Sequence, residues 1–325
     1  MSNDDEQDGY DNRHRAFLQA LLARQTITFP EAKPLLAAIE TAAKPDRPTL
    51  PEDILQEDFE NYVHALNGAI STFDFEIRST RHQNSKEVVF ALVNTTSDAL
   101  TQMATIHTAD EIAFVKRVLD AMFDTYNTQR AEVMAITSTQ ALRLARASDS
   151  TRRDSGSTQT QTAAQTGLTM VQAEKTLDNL VSEGWLELSK RGFYTLTPRA
   201  LMELRGWLAE TYNDQMSDSE DDEQGVHDRV KFCQACKEIL TIGQRCPNLT
   251  CQARLHTGCV TNMFRAQAGS EQCPLCKTAW VEPPPVGEKA AKDSAGRKSS
   301  NVSRGQGRRS SARATDGADD DESDS

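Results

Sequence analysis

The sequence predicts an α+β chain made of two consecutive helix-and-hairpin units followed by a small metal-organised module. Three observations carry this expectation. Twice before residue 200, apolar residues at one-turn spacing give way to strict alternation. All 7 cysteines fall between Cys233 and Cys276. Both ends of the chain are polar and charged.

Composition narrows the possible functions. The 325 residues carry 36 Lys and Arg against 48 Asp and Glu, a formal charge of −12, with 38% hydrophobic residues. The low apolar share fits folded parts diluted by polar segments. The acidity argues against electrostatic binding of nucleic acid by the chain as a whole. No apolar run approaches the roughly 18–20 residues that cross a bilayer, and Met1 to Gly9 lacks the apolar core of a secretory signal.

Residues 1–12 read as a disordered acidic leader. From Arg13, the spacing of Phe17, Leu18, Leu21 and Leu22 predicts a helix. A second helix is expected over Glu31 to Thr41, before the breaker-rich Lys44-Pro45-Asp46-Arg47-Pro48. A third is expected to start near Pro51 with Thr49 as its cap, carrying Ile54, Leu55, Phe59, Tyr62, Val63 and Leu66. Phe73, Phe75 and Ile77 then alternate with charged residues, and Val88 to Val93 follows a polar turn, which predicts a hairpin. Three helices and a hairpin describe a winged helix, placed at residues 13–106.

The pattern recurs over residues 107–213 and predicts a second winged helix. Ala109 to Tyr126 is strongly amphipathic, and a shorter helix is expected over Thr139 to Ala147. Residues 148–162 are rich in Ser, Thr, Gln and Arg and read as a solvated insertion. Thr169 to Glu183 predicts another helix, stopped by Gly184. Trp185 to Leu188 and Phe193 to Leu196 form a hairpin about Lys190-Arg191-Gly192, and Pro198 opens a last helix. The aromatic residues Phe73, Phe75, Trp185 and Tyr194 are expected in the two cores. Residues 214–229, with Ser217 to Glu223 strongly acidic, read as a linker. Residues 282–325 read as a disordered tail, basic and then acidic, with nuclear import, weak nucleic-acid contact or simple solubility as its uses.

Residues 230–281 hold the chemistry. Cys233, Cys236, Cys246, Cys251, His256, Cys259, Cys273 and Cys276 follow the spacing C-x2-C-x9-C-x4-C-x4-H-x2-C-x13-C-x2-C. Eight soft or borderline ligands make two tetrahedral zinc sites. Zinc binding of roughly 10–16 kcal/mol would stabilise a module too small to fold on its own core. The cysteines imply a reducing compartment, the cytosol or nucleus, rather than a disulfide scaffold. With every ligand position filled, no zinc position is open to water, which argues against direct metal catalysis. The ligands pair either sequentially or in an interleaved cross-brace, and spacing alone leaves both open. No Gly-rich phosphate loop, nucleophile–His–carboxylate set or nucleotide site is visible, which argues against a metabolic enzyme.

The ligand order, with one histidine in fifth place (C4HC3), resembles both PHD fingers and variant RING fingers, and that resemblance favours the cross-brace. It would place Cys233, Cys236, His256 and Cys259 on one ion, and Cys246, Cys251, Cys273 and Cys276 on the other. PHD fingers carry an aromatic residue two positions before the seventh ligand, where this chain has Glu271. They also tend to offer an aromatic cage for methylated lysine, and only Phe232, Phe264 and Trp280 are aromatic near these ligands. Cys273-Pro274-Leu275-Cys276 looks like the Cys-Pro-x-Cys end of a RING.

Two winged helices followed by a C4HC3 RING-like domain resemble the non-structural maintenance of chromosomes element 1 subunit of the structural maintenance of chromosomes 5/6 complex. The matching segments are Phe73 to Ser79, Leu92-Val93-Asn94, Gln102 to Thr105, Glu111-Ile112 with Leu119-Asp120, and Gly184-Trp185-Leu186 leading to Pro198-Arg199-Ala200. The resemblance spans about residues 13 to 281. It implies a nuclear, chromatin-associated protein of DNA repair with a MAGE-type winged-helix partner and a kleisin partner. It also implies a partner-dependent RING ubiquitin ligase that positions a ubiquitin-conjugating enzyme without a catalytic side chain of its own. Residues matching a RING docking surface are Ile239, Leu240, Phe264 (or Met263) and Pro274, with Lys277 where RINGs carry a basic residue facing ubiquitin. Gln234 departs from that pattern, since many active RINGs have an aliphatic residue there. Ile239 and Leu240 equally fit simple packing of the zinc core.

Two other functions stay in view. One is a purely structural subunit whose finger is a PHD-like protein-binding module. The other is a DNA-binding or chromatin-reading protein. The helix Thr169–Glu183 carries Lys175 against Glu174, Asp178 and Glu183, a net charge of 1 − 3 = −2, which suits protein contact better than DNA. Lys190, Arg191, Arg152 and Arg153 are the remaining candidates for phosphate contact.

Overall fold

The computed structural model describes residues 9–96, 106–146, 167–213 and 228–291. Most of the acidic leader, the segment Gln102–Thr105, the insertion 148–162, most of the linker and the tail past residue 291 lie outside the described residues. No described helix is long and apolar enough to cross a membrane.

The first unit starts with α1 (Asn12–Arg24), whose first turn is closed by the Asp11 carboxylate accepting from the Arg13 and His14 backbone N–H groups. A short strand β1 (Thr26–Thr28) leads into α2 (Phe29–Ala43) and then α3 (Gln56–Ile70). The hairpin β2 (Phe75–Arg81) and β3 (Val88–Asn94) pairs antiparallel from Phe75↔Asn94 to Arg81↔Val88, and the sheet order is β1-β3-β2. Phe17, Leu21, Leu36, Phe59 and Leu66 are fully buried beneath it. Phe59 meets Phe90 edge-on at 4.7 Å.

Two expectations need correction here. Pro51 opens only a 3-10 turn (Pro51–Asp53), and Thr49 donates its N–H to Thr41 Oγ1 instead of capping a helix. α3 begins five residues later, where Asp58 accepts the Leu55 N–H at 2.8 Å. Phe73 is not core: it is 71% exposed in a 3-10 turn, and Phe75 is 36% exposed. Asp74 takes a left-handed φ of 59°, which ends the turn and starts the strand at Phe75.

The second unit repeats the order. α4 (Ala109–Asp120) continues into one π turn (Ala121–Thr125). β4 (Ile136–Thr137), α5 (Ser138–Arg143) and α6 (Met170–Ser182) follow, then β5 (Leu186–Leu188) and β6 (Phe193–Leu196), then α7 (Pro198–Glu203) and α8 (Arg205–Asn213). The sheet order β4-β6-β5 matches that of the first unit. Helices α4, α5 and α6 each start with a reciprocal cap: Thr108 with Glu111, Thr137 with Gln140, and Thr169 with Gln172. The expected single helix after Pro198 is broken at Leu204, and the expected helix Thr139–Ala147 stops at Arg143. Trp185 and Tyr194 are buried in this core, as expected.

The units meet where α7 lies on the first sheet, with Met202 packed against Ala91 and Val93. Beside it, His82 at the β2–β3 turn lies 3.3 Å from Glu187 on β5. That carboxylate holds His82 above its ordinary pKa, against the opposing effect of burial. A raised histidine pKa stabilises the junction fully below the unfolded value of about 6.5. The contribution is lost as pH climbs through the folded value. An NMR titration should therefore give His82 a midpoint above about 6.5, and Glu187→Gln should bring it down. An unchanged midpoint in that variant would show that Glu187 does not hold the proton.

Candidate metal centre

Each Cys-x-x-Cys pair sits in the same local structure. Cys233 N–H donates to Glu238 O at 2.9 Å and Lys237 N–H to Cys233 O at 2.9 Å. Cys273 N–H donates to Thr278 O at 2.8 Å and Lys277 N–H to Cys273 O at 3.1 Å. Lys237 and Lys277 take left-handed φ angles of 62° and 61°, and the bridges Phe232↔Ile239 and Gln272↔Ala279 close the two knuckles. Between them run β7 (Gly243–Arg245), β8 (Arg254–Leu255) and the helix α9 (Thr257–Ala266). Gly243 lies so close to β8 that an added Cβ would stand 2.4 Å from Leu255 O, which demands glycine.

The expected tail is ordered at its start. Pro285–Val286 forms β9 on the free edge of β7, giving the order β8-β7-β9, and Val286 and Ala290 are buried. A Pro-rich, polar stretch hides this strand from periodicity, because only two residues pair. Glu288 accepts from the Ser189 hydroxyl at 2.6 Å and pairs with Arg191 at 3.1 Å, which ties the segment to the β5–β6 turn.

The eight sulfur and imidazole side chains fall into two groups. Cys233, Cys236, His256 and Cys259 form one, and Cys246, Cys251, Cys273 and Cys276 the other, with the ligand atoms of each group within 4.8 Å of one another. This is the interleaved division. Sulfurs stand 3.5 Å apart at Cys246–Cys276 and 3.6 Å apart at Cys251–Cys273. His256 Nδ1 is 3.2 Å from Cys236 and 3.9 Å from Cys259. A tetrahedron with Zn–S bonds of about 2.3 Å has edges of about 3.8 Å, so these spacings suit zinc and are far beyond the roughly 2.05 Å of a disulfide. His256 Nε2 lies 3.2 Å from Ile239 O, an outward hydrogen bond that leaves Nδ1 to face the sulfurs. Burial pushes the Cys246, Cys251 and Cys259 thiols up. A cation among them is what would keep them as thiolates. With four protein ligands in each group, both sites are closed, and a bound zinc would supply cohesion rather than a reactive water.

Of the residues that the resemblance matches to a docking surface, Ile239, Leu240 and Phe264 are buried, at 2%, 0% and 8% exposed, which for Ile239 and Leu240 is the packing of the zinc core that the sequence equally allowed. They form the small apolar interior, with Phe264 meeting Trp280 at 6.0 Å. The same burial takes Phe264 and Trp280 out of any aromatic cage. Pro274 is half-buried and Lys277 exposed, its Nζ donating to Pro274 O at 3.3 Å. The module's exposed large apolar residues are instead Leu249, Leu275 and Val281. Leu275 was legible as the variable position of Cys-Pro-x-Cys, whereas Leu249 and Val281 carry no sequence signal.

The module is held from both units. The first unit's β2–β3 turn inserts Gln83, whose side chain donates to Ile239 O at 3.0 Å and accepts from the Thr241 and Ile242 N–H groups. From the second unit, Arg205 donates to Lys237 O, Asn213 makes two hydrogen bonds with Val230, and Asn127 donates to Arg229 O. A cleft of about 630 Å³ remains between the hairpin and the first ligand group, bordered by Arg81, Lys86, Glu187 and Cys236.

Comparison with known proteins follows the same division. Residues 14–204 match the family described as Nse1 non-SMC component of SMC5-6 complex, and residues 233–276 match a RING-like domain. The human non-structural maintenance of chromosomes element 1 homolog is 25% identical over 267 residues, which cover 82% of this chain and 83% of that protein. Non-structural maintenance of chromosomes element 1 of Schizosaccharomyces pombe is 22% identical over 287 residues, covering 86% and 97%. Among solved structures, a chain of an "Nse1-Nse3-Nse4 complex" has a TM-score of 0.62 at 22% identity, covering 85% of this chain and 99% of that one.

Two bound zinc ions per chain are expected by elemental analysis, and Cys251→Ser should lower the count to one with the Cys233 group still loaded. A count of two in that variant would mean that Cys251 is not a ligand.

Proposed function

The chain belongs to the Nse1 family of non-SMC components of the SMC5-6 complex, and on that premise we propose that it is a RING-type ubiquitin ligase subunit of such a complex in the nucleus, serving DNA repair and chromosome maintenance. Its eight Cys and His residues hold two structural zinc ions. Residues 13–106 and 107–213 act as tandem winged helices, a reading supported by their shared strand order and by a helix–strand–helix–helix–hairpin succession in the first unit. Their partners are a MAGE-type winged-helix subunit and a kleisin subunit, by analogy with the Nse3 and Nse4 named alongside the structural neighbour.

The observation that carries the ligase reading is the pair of matching zinc knuckles with an exposed Leu275 beside Pro274 and Lys277. A RING needs such a firm, partly apolar ledge to hold a conjugating enzyme while its thioester-linked ubiquitin is attacked. The rate gain comes from restraint, so no side chain exchanges protons with substrate. With Ile239 and Leu240 buried, the apolar contact on that ledge is assigned to the exposed Leu275.

A second reading has its own support. The module is clasped by hydrogen bonds from both units, and its aliphatic residues near the first knuckle are buried. Those features suit a purely structural finger.

Ubiquitin discharge from a panel of conjugating enzymes, with and without the MAGE-type partner, separates the two. Discharge should require the partner, fall about tenfold in Leu275→Ala, as for one hot-spot contact, and vanish in Cys246→Ser. No discharge from protein that carries two zinc ions and captures its partner would sink the ligase reading and leave the structural one.

A further inference from the structure

The second unit reaches the four-cysteine group through a buried charge cluster. Glu132, in the loop between α4 and β4, is about 1% exposed, as are Arg245 and Arg254, and Lys231 is 4% exposed. Arg254 grips the Glu132 carboxylate with two N–H groups, its Nε at 2.6 Å from Oε2. Arg245 Nη1 lies 3.3 Å from Glu132 Oε1 and donates to Gln129 O at 2.6 Å. Lys231 Nζ donates to Gln252 Oε1 at 2.6 Å. The same cations touch the ligand loops: Arg254 Nη1 donates to Cys251 O at 2.8 Å, Arg245 Nη2 to Leu249 O at 3.0 Å, and Arg245 directly precedes Cys246.

Three cations against one carboxylate leave 3 − 1 = +2 in the protein interior. Asp228 acts on Lys231 only from the exposed rim, where water screens it. A zinc ion with four thiolates carries 2 − 4 = −2. The two charges cancel. With neutral thiols and no zinc, the +2 would be buried uncompensated, a state proteins escape by opening to water.

We propose that Lys231, Arg245 and Arg254 are the counter-charge of the zinc held by Cys246, Cys251, Cys273 and Cys276, and that Glu132 makes docking of the second unit depend on that ion. Zinc at this group locks the Gln129–Ala135 segment against β7 and β8, and its loss releases the segment. The other ligand group lies outside the lock, because the Arg245 and Arg254 side chains bond the carbonyls of Leu249 and Cys251, while the second unit reaches the first knuckle separately, through Arg205 on Lys237 O and Asn213 on Val230. The inference rests on zinc occupying the four-cysteine group.

Stepwise chelation of the full chain tests it, with native mass spectrometry counting zinc and hydrogen exchange reading residues 129–135. Cys246→Ser should raise exchange there at least tenfold, whereas Cys259→Ser, which cripples the other group, should leave it protected. Lys231→Met keeps the Glu132 contacts, and it should speed release of one zinc roughly ten- to a hundredfold, as outer-shell substitutions do, while the second zinc leaves at the wild-type rate. Equal exchange at 129–135 in the two cysteine variants, or unchanged release of both ions in Lys231→Met, would overturn the coupling alone. A wild-type protein with no zinc at the four-cysteine group, read as an unchanged zinc count in Cys246→Ser, would overturn the zinc reading and the coupling together.

Discussion

Seven cysteines and a histidine crowded into two groups have only one comfortable state. As thiolates alone they repel one another, and as thiols they bury weak polar groups against each other. A divalent cation in each group resolves both problems, and the rest of residues 228–291 is arranged around that need. The two knuckles present sulfur pairs from identical turns, β7 and β8 fix the spacing between them, and His256 is oriented by Ile239 O. The apolar interior of Ile239, Leu240, Leu255, Phe264 and Trp280 is too small to hold the module by itself. That explains why so many of its hydrogen bonds go to the two preceding units.

Those units share one plan. In each, a short strand precedes a helix and pairs with the last strand of the hairpin. Packing α7 on the first sheet, with Met202 among Ala91 and Val93, turns two similar units into one support. The support reaches the zinc module at separate points: Gln83 from the first hairpin, Glu132 from the loop before β4, and Arg205 and Asn213 from the last helix. The module's orientation is therefore set by side chains far from it in sequence.

The parts of this arrangement readable from sequence are those with local causes. Helices with a strong apolar face, such as α4 and α6, were legible, and so was the β5–β6 hairpin about Gly192. The ligands were legible because metal chemistry fixes residue type and spacing together. What escaped depends on distant partners. β1, β4 and β9 are two or three residues long and become strands only by pairing with β3, β6 and β7. The start of α3 depends on Asp58 reaching back to Leu55, and the Thr49–Pro51 signal competed with it. Ile239 and Leu240 look the same in sequence whether they face a partner or the interior. Arg245 and Arg254 are unremarkable among charged residues until Glu132, more than a hundred positions earlier, is found between them.

The strand β9 sets where this protein can be cut or joined. A chain shortened just past the last cysteine would keep every ligand yet leave the β7 edge unpaired, with open backbone groups ready to recruit another strand. The same cut would remove Ala290 from its seat against Val133 and Ala135, and Glu288 from Arg191. Tags, fluorescent fusions and tethers belong beyond Ala291. An isolated finger trimmed to its ligands is a different object from the finger in the intact chain.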